Sequence, residues 1–210
     1  MERPHIITVS GKPGSGKSST SDKVAELLGY SRYSAGDMTR KYIEKHKITL
    51  AEFNKKAQDD HALDEMIDEG LRNMRDEKDI VIDSRLGFYW IPESFKVYLD
   101  LDLEVATARI YRNIDQNESR QKSGEGGNSM GEVARNVKQR LNSEIRRYRN
   151  LYGINPYDAS HFDLVIDTSN HSPQTVATTV FDHYKKWQHS DSWRQVKSEV
   201  PLGYSFKNEF

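Results

Sequence analysis

Gly11-Lys12-Pro13-Gly14-Ser15-Gly16-Lys17-Ser18 fits the pattern G-x-x-x-x-G-K-[ST], a loop whose backbone N–H groups cradle nucleotide phosphates. Ile6-Ile7-Thr8-Val9 before it is a short, β-rich apolar run, and Ser19 to Leu28 after it reads as a helix. The glycines let the backbone curl around an anion with no Cβ in the way. The helix that follows turns its positive end toward that anion. On this reading Lys17 reaches the β- and γ-phosphates of a nucleoside triphosphate, and the Ser18 hydroxyl stands on Mg2+. A glycine-rich turn that binds nothing is the competing account, and the complete motif between a strand and a helix argues against it.

The rest of the chain narrows the class. Its 210 residues make one domain, or one domain with a small insert. A charged fraction of 30%, a hydrophobic fraction of 35% and a net charge of -1 give no overall basic field for nucleic acid. Mean hydropathy is -0.84, polar for a globular chain but compatible with one core. With 0 cysteines there is no disulfide framework and no thiolate metal site, and the histidines lack ligand spacing. Met1 to Ser10 shows no signal architecture and no apolar run approaches membrane length. The expectation is a soluble, cytoplasmic protein without membrane or nucleic-acid partners, and a monomer.

In chain order, Gly29 ends the first helix as a C′ glycine, and Tyr30 to Ser34 is a candidate strand. A helix is predicted from Met38 to about Lys47, and Thr49 with Glu52 forms a capping box for the next. Leu63, Ile67, Leu71 and Met74 continue at helical spacing. Ile80-Val81-Ile82 and Phe95 to Leu101 read as strands, with a helix from Leu103 to about Arg112. Residues 113–131, with Gly124-Glu125-Gly126-Gly127, break the periodicity and read as a mobile loop. A long helix from Glu132 to Leu151, a strand Leu164 to Asp167 and a helix from Ser172-Pro173 to Trp187 complete the pattern. Strands separated by helices predict an α/β fold with a parallel sheet. Residues 188–210 are a tail without a predicted element, and Trp187 and Trp193 near it read as packing anchors.

A phosphoryl-transfer enzyme needs two facing anion sites. Asp83 ends an apolar strand, where its carboxylate lies beside the phosphate loop and can hold Mg2+ through water. Arg85 points to the same edge, and Arg40, after Asp37, is the second candidate for a second phosphate. Arg140 and Arg147 are seven apart on the long helix, so they share a face. A solvated basic face, with Glu144 neutralising part of it, is an equal reading at this point. Arg109 and Arg112 flank the glycine-rich stretch.

Taken together, Ser10 to Ser18, Ser34-Ala35-Gly36-Asp37, Glu52-Phe53-Asn54, Arg147-Tyr148, Leu151-Tyr152-Gly153-Ile154 and Phe162 to Ser169 resemble the nucleoside monophosphate kinases, most closely the short, archaeal-type cytidylate kinases. The resemblance implies a P-loop fold with a five-stranded parallel sheet, a monophosphate-binding arm at about 38–78 and a lid at about 113–131, within a domain of residues 1–187. It implies ATP and Mg2+ as cofactors and phosphorylation of CMP or dCMP. It also implies roles: Gly11, Lys12, Pro13, Gly14, Ser15, Gly16, Lys17, Ser18, Ser19, Arg109, Thr168 and Ser169 on ATP, with Ser18 and Asp83 on the metal. Arg40 and Arg85, with Asp37, Asp83, Asp60 and Asp64, would take the monophosphate, and Arg140 and Arg147 the transferring group. The resemblance puts the base pocket on the helical arm, where Asn54, Gln58, Asp59, Asp60 and Asp64 offer the carboxylate or amide oxygens that the exocyclic amine of cytosine calls for; an acidic solvated face is an equal reading of each. The stretch 113–131 is longer and richer in glycine than the short type suggests. Another P-loop kinase acting on AMP, UMP or a non-nucleotide alcohol, or a nucleotide-dependent switch or ATPase, are the alternatives.

Overall fold

Ile6–Gly11 is buried at every position and forms strand β1 at the middle of the sheet. β-Branched residues covered on both faces suit a parallel strand flanked by helices. The computed structural model describes residues 3–59, 62–113 and 127–198. Around β1 stand β2 (Ser31–Ser34), β3 (Ile80–Asp83), β4 (Phe95–Asp100), β5 (Leu164–Asp167) and β6 (Val196–Ser198), in the order β2-β3-β1-β4-β5-β6. Every pairing is parallel, with Val9 opposite Asp83 and Gly11 opposite Leu99.

The sheet therefore has six strands where the sequence predicts five. The added strand comes from the tail, which lacks an apolar run of its own. Contacts from far along the chain hold it: Val196 N–H donates to Asp163 O at 2.9 Å, the Trp193 indole to the same carbonyl at 3.1 Å, and Gln195 to Phe162 O at 2.8 Å.

The α-helices of the described residues are α1 (Lys17–Leu28), α2 (Ala35–His46), α3 (Leu50–Asp59), α4 (Ala62–Asn73), α5 (Gly87–Trp90), α6 (Leu103–Asn113), α7 (Met130–Tyr152) and α8 (Pro173–Gln188). On one face α1 and α8 close over Ile7, Val9, Val97 and Leu99, with Trp187 buried and Trp193 packed alongside. On the other, Ile6, Ile80 and Ile82 meet Leu71 of α4 and Tyr148 of α7. A smaller cluster of Ile43, Leu50 and Phe53 holds the arm made by α2, α3 and α4 together.

Caps set the helix starts. Thr49 and Glu52 bond reciprocally, Thr49 N–H to Glu52 Oε2 at 2.7 Å and Glu52 N–H to Thr49 Oγ1 at 3.2 Å. Ser34 accepts from Asp37 N–H at 3.1 Å, so α2 begins at Ala35 and not at Met38. Ser129 likewise accepts from Glu132 N–H, so α7 begins at Met130, inside the stretch predicted to be loop. Asn113 belongs to α6, and residues 114–126, most of the expected lid, lie outside the described residues.

Candidate active site

The loop between β1 and α1 owes its path to glycines. Gly11, Gly14 and Gly16 have φ of 152°, 81° and 82°, and a Cβ on Gly11 would lie 2.3 Å from Leu99 O. Any side chain at Gly11 would collide with the neighbouring strand. Lys17 Nζ folds back to donate to Gly11 O at 3.2 Å. Burial, with Arg85 nearby, pulls the Lys17 ammonium down to about 8. The Ser15 hydroxyl is buried inside the loop with no partner. A loop of positive-φ glycines around an unpartnered hydroxyl and a lysine fits a polyphosphate. Lys12 is already engaged, 2.6 Å from Asp100 and donating to Leu101 O at 3.2 Å.

Behind the loop, a cavity of about 260 Å³ is lined by Gly16, Ser19, Arg109, Thr168 and His171 among others. Arg109 donates to Thr168 O at 2.5 Å and Ser169 O at 3.2 Å, and Thr168 Oγ1 donates to Ser15 O at 3.3 Å. These residues thus come together, with Arg109 spent largely on backbone carbonyls. Burial lowers its pKa, partly offset by Asp167.

In front of the loop a cleft of about 450 Å³ opens between the sheet edge, the arm and α7. It gathers Lys17, Arg40, Arg85, Arg140 and Arg147. Ser18 donates to Asp83 Oδ2 at 2.7 Å, so the hydroxyl and carboxylate proposed for the metal are adjacent. Their oxygens suit Mg2+, which keeps most of its water and takes few protein ligands. Among the described residues no cluster of His, Cys, Asp and Glu offers a different metal site. The same Asp83 oxygen accepts from Arg32 at 3.1 Å, a residue whose role has no local sequence signal. Asp37 pairs with Arg40 and also with Arg32.

Glu144 lies at the centre of the cationic wall. Its carboxylate is 2.5 Å from Arg85 Nε and 3.0 Å from Arg140 Nε, and the Tyr157 hydroxyl bonds to it as well. Burial opposes the charge on Glu144, but Arg85 and then Arg140 outweigh it and hold the carboxyl at about 2. Arg85 also donates from Nε to the Tyr157 hydroxyl at 3.2 Å, so its two terminal nitrogens are not spent on either partner. Arg140 and Arg147 do share the face expected of them. That face is not the solvated alternative, since Arg147 is buried.

Arg147 lies 3.4 Å from Asp64 through Nε and donates to the Tyr148 hydroxyl at 3.0 Å, while its remaining terminal nitrogen is buried without a hydrogen bond. Asp64 therefore faces Arg147 across the cleft and not solvent. Next along α4, Asp68 is buried and accepts from Trp90 Nε1 at 2.8 Å and from Tyr152. Asp60 and the side chains of Asn54, Gln58 and Asp59 lie outside the described residues. Tyr157 and Asp68 join the site through contacts across 13 and 84 residues, which no local pattern announces.

A parallel sheet with a phosphate loop after its central strand and a helical arm beside it defines a P-loop kinase fold. Shikimate kinase from Bacteroides thetaiotaomicron shares that fold at TM-score 0.59 and 13% identity, over 88% of this chain and 98% of its own. Within that class, the chain belongs to the cytidylate kinase-like family, whose model matches residues 6–170, and is thus an enzyme of the nucleoside monophosphate kinase class. The cytidylate kinase of Halobacterium salinarum is 32% identical over 186 residues, 87% of this chain and 91% of that one. The cytidylate kinase of Natronomonas pharaonis is 35% identical over 179 residues, 83% and 86% of the two chains.

Proposed function

We propose that the protein transfers the γ-phosphoryl group of ATP to CMP or dCMP, giving ADP and CDP or dCDP. The observation that carries this reading is the facing of two anion sites across one cleft, the loop with Lys17 on one side and Arg40 and Arg85 on the other. A phosphate oxygen of the acceptor bonds to the γ-phosphorus as the bond to the β,γ-bridging oxygen breaks, and ADP leaves with that electron pair. Charge spreads over the transferred group, so catalysis is positioning plus electrostatic stabilisation. Lys17 meets the β- and γ-oxygens. The terminal nitrogens of Arg85 and the Arg40 guanidinium hold the acceptor phosphate, and Arg140 and Arg147 reach in from α7. Ser18 and Asp83 would hold Mg2+, which when bound neutralises charge on the β- and γ-phosphates.

We assign the base to Asp64 on the arm. Cytosine presents an exocyclic amine, which a carboxylate complements. Uracil would set a carbonyl oxygen against the Asp64 carboxylate. ADP release measured with CMP, dCMP, UMP and AMP, and with no acceptor, tests the reading. CMP or dCMP should be turned over fastest. Faster turnover of UMP or AMP moves the reading to another acceptor, and equal ADP release without any acceptor replaces it with an ATPase.

A further inference from the structure

We propose that Arg32 is a positioning residue that couples the metal side of the cleft to its acceptor side. It fixes Asp83 with one nitrogen and, through Asp37, Arg40 with another. The inference rests on the CMP kinase reading and adds to it a residue outside the cleft wall.

Arg32 lies on β2 opposite Val81, two pairs back from Ser34 and Asp83. Its guanidinium spans carboxylates from three different elements. Nε is 3.1 Å from Asp22 Oδ1 on α1, one terminal nitrogen donates to Asp37 Oδ2 on α2 at 3.2 Å, and the other to Asp83 Oδ2 at the end of β3 at 3.1 Å. A planar fork can hold such a set in one geometry, and a lysine ammonium cannot. Both far ends of the bridge touch the site. Asp83 Oδ2 also accepts from Ser18, which starts the metal side. Asp37 uses its other oxygen, Oδ1, to hold Arg40, which lines the cleft.

Arg32 itself is not among the residues lining the cleft, so it acts on ligands through the carboxylates it holds. Without it, Asp22, Asp37 and Asp83 converge with that cation removed, and like charges repel. Asp37 then loses the partner that fixes its plane, and Arg40 loses its orientation with it. Asp83 loses the donor that sets its angle toward Ser18. Outer partners of this kind set the affinity of the groups they orient.

The experiment uses Arg32→Met, Arg32→Lys and Asp37→Asn in the full chain. Two equilibrium readouts are followed: CMP binding by calorimetry without ATP, and the Mg2+ concentration that gives half-maximal thermal protection with a non-hydrolysable ATP analogue. Arg32→Met should weaken CMP binding and raise the Mg2+ midpoint, each by about tenfold. Asp37→Asn cuts only the acceptor branch, so it should weaken CMP binding and leave the Mg2+ midpoint within about twofold. Arg32→Lys keeps the charge and loses the fork, and should fall between wild type and Arg32→Met on both readouts. A lower melting temperature in Arg32→Met with both readouts unchanged would reduce Arg32 to a structural ion pair and overturn the proposal. So would wild-type CMP affinity in Asp37→Asn, a test that stands even if Arg32→Met does not fold. Failure of the wild type to bind CMP would instead sink the acceptor reading, while the Mg2+ midpoint still tests the metal branch.

Discussion

Lys17 sits in an environment that resists its own charge until a ligand arrives. Its pKa of about 8 reflects burial first and then the repulsion of Arg85. Bound phosphates favour the ammonium form, so above pH 8 binding requires the empty site to take up a proton first. Affinity for ATP should then fall by up to about tenfold per pH unit above pH 8, until the bound-state pKa is reached. Calorimetric titration from pH 7 upward measures this, and Lys17→Met should show a flat profile over the same range. Lys17→Ala should lower kcat by about 100-fold or more, because the lost charge faces the developing charge in a water-poor site. Steady-state turnover of CMP decides it; a near-normal kcat would remove Lys17 from the reaction. Arg85 gives the complementary prediction. Arg85→Lys keeps the charge but cannot both bond Glu144 through Nε and present two further nitrogens. Its KM for CMP should rise far more than its KM for ATP, and an equal rise would place Arg85 outside the acceptor site.

At the scale of elements, β6 is the piece that depends most on its neighbours. Among the described residues its three residues pair with β5 alone, at the sheet edge, and Trp193 and Gln195 fasten the approach to it. A chain ending at Ser190 loses this strand and uncovers Phe95 and Leu164 on their outer side. Its melting temperature should fall by several degrees, on the order of 1–2 kcal/mol lost from a domain of this size, as scanning calorimetry would show. CMP turnover at low temperature should persist, because β6 lies at the opposite edge from β2 and the arm. The elements that announce themselves do so through short-range chemistry. The Thr49–Glu52 box, Ser172-Pro173 and Gly29 each act within a few residues, and each marks a true boundary. Met130 and Gly131 read as loop because glycines precede them, yet Ser129 caps a helix there. β6 stayed hidden because its stability comes from Asp163 and Phe162, some thirty residues earlier. The site divides in the same way. The loop, Asp83 and Arg85 are legible as motif and strand end, whereas the links from Glu144 to Arg85 and from Arg32 to Asp83 join elements 59 and 51 residues apart.

Across the whole molecule, these ion pairs tie three bodies around one cleft. Arg85 at the sheet edge meets Glu144 of α7, and Arg147 of α7 meets Asp64 of the arm. Removing one partner leaves a buried charge unmatched, so Glu144→Gln should destabilise the fold by about 3 kcal/mol at neutral pH. The pH dependence follows from the depressed Glu144 pKa. The group ordinarily titrates at 4.5 and in the fold at about 2. Its contribution is complete above pH 4.5 and is lost as pH falls toward 2. The stability gap between wild type and Glu144→Gln should therefore be widest above pH 4.5 and narrow on acidification, read from denaturant midpoints at each pH. Trp90 stands at the junction of the same bodies. Its indole bonds Asp68 of α4, packs edge-on to Tyr152 of α7 at 5.8 Å, and has Arg72 4.6 Å from its ring centroid. The chain's other two tryptophans, Trp187 and Trp193, lie against Phe95 on the opposite face of the sheet. The protein thus carries its own optical gauge: a shift of the arm against α7 alters the polarity and charge felt by one indole and leaves the other two as a steady background. Intrinsic emission should change on titration with CMP, and Trp90→Phe should silence that change while leaving the background in place.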